Sequence, residues 1–249
     1  MPNIEVLIDT LTNDVIERRQ SLDDALFALQ SWFDHNVELM DDDERVSFSN
    51  KLNAEKDAAQ RDGRPHGDDA SLVASVLRLH IMRLLYRYDE RHQPATHPLD
   101  DSPYERARRR LQSALRETEI AINEARVDTA IANAHTIMDD RSANRRWLQD
   151  ALTRLQTVAQ KDLVKLANAV PMPNLPPLNP LQRAGFWILG IKQEEIGRRN
   201  LQSLKRLAEL QNNQLIEMAH LLAESFSAIE DPIGTKQAMT LLTELGVEH

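Results

Sequence analysis

The sequence predicts an all-α fold, an elongated helical bundle whose C-terminal part consists of long antiparallel coiled-coil-like helices. Three observations support it. Apolar residues recur at spacings of three and four along most of the chain, the period of a helix face. Seven glycines in 249 residues and an aromatic content of 4% leave little material for hairpins or sheets. Ala, Leu, Glu, Gln and Arg are abundant, and these residues lose least side-chain entropy in a helix.

Ile4, Leu7, Leu11 and Val15, then Leu22, Leu26, Leu29 and Phe33, trace two stripes, so helices are expected over 3–19 and 22–39. The Ser21-x-x-Asp24 box marks the break between them. Asp41 to Glu44 place negative charge where a new helix exposes its amides, which predicts a third helix over 43–60. Arg61 to Asp69, with two glycines and a proline, reads as a loop. From Leu72 to Tyr88 a wide apolar face predicts a deeply buried helix over 70–91, with His80 within that face as a hydrogen-bonded core residue.

Ser102-Pro103-Tyr104-Glu105 combines an N-cap, a proline at the first helical position and a glutamate at the third. Leu111, Leu115, Thr118, Ile122, Ala125, Thr129 and Ala132 then form a seam of small residues, which implies close helix approach. Residues 139–142 read equally as a turn or a polar stretch of helix. A second seam from Leu148 to Val170 runs to Pro171, where PMPNLPPLNP forbids a helix and forms a crossover over 171–180. Asn179-Pro180 opens a helix expected to reach Asp231-Pro232, with Gln211 as a polar seam residue. A short helix from Thr235 to Leu245, closed by Gly246, ends the chain.

The net charge of −9 is uneven: residues 1–100 hold 11 Lys and Arg against 20 Asp and Glu, whereas residues 101–249 hold 19 against 19. The expected organisation is therefore an acidic N-terminal helical bundle, 1–100, and a long-helix hairpin or bundle, 101–249. An acidic surface repels phosphates and suits basic protein patches. The absence of cysteine removes disulfides, thiolate zinc sites and a cysteine nucleophile. No basic leader precedes an apolar run, and no segment has the roughly 20 apolar residues that cross a bilayer, so a cytoplasmic protein with no transmembrane segment is expected.

No Gly-rich phosphate cradle or nucleophile elbow is present, and no catalytic residue and no cofactor is assigned. The expected function is that of a non-enzymatic helical adaptor or structural component, acting on other proteins and capable of homo-oligomerisation. Phe186, Trp187, Ile188, Leu189 and Ile191, apolar on every side of their helix, need cover beneath the N-terminal helices first of all, or else at a membrane surface or against a partner, and are the candidate partner-binding residues. Two alternatives stand beside it. Arg106, Arg109, Arg110, Arg145 and Arg146 would serve an accessory subunit of a nucleic-acid-handling complex by contacting phosphates. Glu217-x-x-His220 would place two metal ligands on one helix face, and needs further carboxylates from other helices.

Overall fold

The computed structural model describes residues 4–40, 43, 45–48, 50, 68–92, 102–173 and 193–247. All secondary structure among them is helical: α1 (Ile4–Ile16), α2 (Leu22–Asn36) continued by a 3₁₀ turn (Val37–Leu39), α3 (Asp69–His92), α4 (Pro103–Ile137), α5 (Arg141–Ala159), α6 (Leu163–Asn168), α7 (Gln193–Ala228) and α8 (Pro232–Glu244). The described residues between 43 and 50 are helical as well, in the segment where a third helix is expected. The rest of that helix, the loop at 61–67 and the segment 174–192 lie outside the described residues.

The chain forms two compact units, the first of residues 1–95 with 126–150 and the second of 96–125 with 151–249. The expected division falls at residue 100. Composition places it there, because the acidic excess ends there, whereas the units follow side-chain packing.

In the first unit α1, α2 and α3 bury their stripes against the last turns of α4. Ile8, Leu29, Val73, Leu77, Ile81 and Ile131 are fully enclosed, and the partly buried Trp147 of α5 packs on the same core. Phe33, Val37, Leu84 and Leu85 form a smaller cluster beside it. In the second unit Leu111 and Leu115 of α4, Leu163 and Ala167 of α6, and Ala208 of α7 share a core. The end of α7 and α8 pack through Phe226, Ala238, Leu241 and Leu242, all fully buried. Each residue of the predicted α4 seam, from Leu111 to Ala132, is buried. Thr118 fits that environment because its hydroxyl donates to the Ala114 carbonyl one turn back.

Capping fixes the starts. Ser102 Oγ accepts the Glu105 amide, Asp140 Oδ1 that of Ala143, and Asp231 Oδ1 those of Ile233 and Gly234. Because Asp231 is the cap and Pro232 the first residue, α8 begins three residues earlier than expected. The ends are equally defined. Arg18, Asp139 and Glu230 adopt positive φ of 56°, 59° and 57°, and the amide of the following residue bonds to the carbonyl five residues back: Arg19 to Asp14, Asp140 to His135, Asp231 to Phe226. Gly246 does the same for α8, with Val247 bonding to Leu242.

Residues 139–142 are thus a turn followed by the start of α5. The seam expected to run unbroken to Pro171 is interrupted between Ala159 and Leu163, where Asp162 takes φ 33° and caps α6 through the Lys165 amide. Leu155, Leu163, Ala167 and Val170 are buried on both sides of the break, so the apolar pattern survives it and conceals it.

Candidate functional site: a leucine-walled groove and a buried charge network

Two places concentrate polar groups on rigid helices, one in each unit. In the first unit Arg83 of α3 and Asp128 of α4 form an ion pair 2.5 Å long, with side chains 6% and 0% exposed. Arg83 Nη2 also lies 2.8 Å from His80 Nδ1. A guanidinium only donates, so Nδ1 accepts and the imidazole proton sits on Nε2, which is buried with no hydrogen-bond partner. Burial, followed by the charges of Arg83 and Arg87, pushes the His80 pKa down to about 3.

Asp23 of α2 anchors the neighbouring half of this network. Its carboxylate accepts from Arg146 Nη2 at 2.6 Å and from Trp147 Nε1 at 3.3 Å. His135 Nε2 lies 3.3 Å from Asp23 Oδ1 without hydrogen-bond geometry. Burial opposes ionisation of Asp23, but the hydrogen bond from Arg146, with the charges of His135 and Arg146 behind it, holds its pKa below the usual carboxylate value. The Trp147 ring has guanidinium carbons of both Arg83 and Arg146 near its centroid, at 5.8 and 5.6 Å. These groups bind one another across α2, α3, α4 and α5. A histidine neutral down to about pH 3 is poorly matched to proton transfer near neutrality, so the network serves helix registration better than acid–base chemistry.

The second place is a groove of about 400 Å³ in the second unit, between α4 and α7. Gln112, Leu115, Arg116 and Glu119 line one side, and Leu207, Leu210, Gln211 and Gln214 the other. Leu207 and Leu210 are 43% and 55% exposed, large values for leucines flanking a buried seam. Gln211 is only 6% exposed, as its seam register requires, and its Oε1 accepts no hydrogen bond. A concave surface of exposed leucines rimmed by glutamines and charged groups is suited to a docked amphipathic side-chain face.

The residues expected to carry function are described in part. Phe186, Trp187, Ile188, Leu189 and Ile191 lie outside the described residues. The five arginines divide between the units, Arg106, Arg109 and Arg110 in the second and Arg145 and Arg146 in the first. Arg146 is engaged by Asp23, and the neighbouring Arg108 by Glu105 at 2.8 Å. Glu217 and His220 are both exposed on α7, and among the described residues no three His, Asp or Glu side chains converge as a metal site would require.

Sequence reasoning missed Leu207 and Leu210 because only one stripe per helix was followed. Leu207, Leu210, Gln214, Glu217 and Leu221 form a second stripe, one residue behind the buried Ala208, Gln211, Leu215, Met218 and Leu222. A leucine at three of five positions in a stripe that need not face the core is the signal that was available. No helix among the described residues is long and apolar enough to cross a membrane. No protein-family model, no curated protein and no solved structure matches this chain.

Proposed function

We propose that this chain is a non-enzymatic helical adaptor or structural component of the cytoplasm that works through protein–protein contacts, with the α4–α7 groove as one contact surface. The observation that carries the reading is the exposure of Leu207 and Leu210 on one concave surface. Apolar side chains in water are unfavourable, and a docked helix covers them. The buried charges of the first unit, Arg83 and Asp128, are in contrast committed to each other, which favours a scaffold over a catalyst.

The test is purification of the tagged chain from its native cells beside the Leu207→Glu, Leu210→Glu double variant. Both positions are partly exposed, so the variant is expected to keep its helical circular dichroism and to lose at least one companion protein. An identical set of companions for both forms overturns the reading.

A further inference from the structure

The shape of the groove and the charge pattern of α7 identify one occupant. We propose that the groove is filled by α7 of a second copy of this chain, lying antiparallel to the first. This rests on reading the groove as a protein-contact surface and adds what docks there.

The occupant must supply apolar side chains to Leu207 and Leu210 and polar ones to the glutamines and charged groups that line the rest of the groove. The second stripe of α7 carries both, because its leucines flank Gln214, whose amide donates and accepts hydrogen bonds.

Leu207 and Leu210 lie within seven residues on one side of Gln214, and Leu221 lies seven residues on the other. An antiparallel copy centred near this glutamine sets Leu207 and Leu210 of each chain in the neighbourhood of Leu221 of the other. A parallel copy in register aligns each leucine with itself and leaves no charge compensation.

After Glu194 and Glu195 in its first turn, α7 carries Arg198, Arg199, Lys205 and Arg206 up to residue 206; from 207 to 228 it carries Glu209, Glu217 and Glu224 and neither Lys nor Arg. From Arg198 on, all of these are exposed except Lys205, which is half-buried, and Arg199 also pairs with Glu195 one turn back. Antiparallel copies centred near Gln214 set Lys205 and Arg206 of each helix beside Glu224 of the other, whereas parallel copies in register oppose like charges.

The absence of cysteine gives an orientation-sensitive test. Gln214→Cys lies near the twofold axis and is expected to cross-link two chains under mild oxidation. Arg199→Cys is expected to stay uncross-linked, since antiparallel pairing separates its two copies by about 45 Å at about 1.5 Å per residue. The unmodified chain is expected to have twice the mass of 28.4 kDa by light scattering, and the Leu207→Glu, Leu210→Glu variant the single mass with unchanged helicity.

If that variant loses helicity, the two cysteine variants still decide the matter. Equal cross-linking at 199 and 214, or a chain that stays monomeric at about 100 μM, overturns self-pairing. Monomeric protein whose cellular companions are nevertheless lost in the leucine variant means a foreign helix occupies the groove, so that self-pairing fails while the contact reading stands. Monomeric protein with unchanged companions removes both.

Discussion

Gly234, in the first turn of α8, faces the ring of Phe226 on α7 so closely that a Cβ atom there would lie less than 3.0 Å from three ring carbons. Phe226 is fully buried, so the ring has nowhere to retreat. Space, not backbone freedom, demands the glycine. Gly234→Ala is expected to lower stability by about 1–3 kcal/mol, as overpacked cores do. Urea unfolding followed by circular dichroism measures this, and Phe226→Leu in the same chain is expected to restore part of the loss.

The left-handed helix ends provide the opposite kind of change. Arg18, Asp139 and Glu230 hold positive φ with a Cβ atom that disfavours it. Replacement of Glu230 or Asp139 by Gly is expected to stabilise the chain by up to about 1 kcal/mol each, since the strained conformation becomes an ordinary one. The shift of the thermal midpoint is the measurement. A fall in midpoint would mean that these side chains contribute more than their backbone strain removes.

The Arg83–Asp128 pair makes an asymmetric prediction. Removal of one partner, as in Asp128→Leu, leaves a buried cation without its counter-ion and is expected to destabilise by about 3–5 kcal/mol. Removal of both, as Arg83→Met with Asp128→Leu, is expected to be far milder than the sum of the single changes. A double-mutant cycle in urea reads the coupling, and additive losses would show that the two side chains act independently.

His80 links stability to acidity. Its folded pKa, about 3, lies below the unfolded 6.5, so the unfolded chain takes up the proton first as pH falls. The stability this neutral ring contributes is therefore complete above about pH 6.5 and is lost progressively down to about pH 3. Between pH 7 and pH 5 the loss is expected to be about 2 kcal/mol. His80→Gln is expected to flatten that part of the stability profile, and an unchanged slope would assign it to other groups.

The helices were legible in the sequence wherever an apolar stripe and a capping residue agreed, as at Ser102-Pro103 and along Leu111 to Ala132. Three of their ends were not, because the usual marker is glycine, as Gly246 is for α8, and there this chain uses Arg18, Asp139 and Glu230 in the left-handed position. The break at Asp162 was hidden for a related reason: its apolar spacing continues through the interruption. The groove escaped notice because the second stripe of α7 is interrupted by Gln214 and Glu217, and each leucine taken singly resembles ordinary surface. Of the groove residues Leu115 and Gln211 were placed correctly, since their register is that of the buried seams.

The position of Trp147 between two guanidinium groups makes its fluorescence a gauge of the first unit. The chain has three tryptophans, and two of them, Trp32 and Trp147, belong to that unit. With Trp187→Phe every remaining indole would report on it, and loss of Arg83 or Arg146 from the ring face would register in emission before the backbone unravels. A single optical signal could then follow the melting of one half of the molecule while circular dichroism follows the whole.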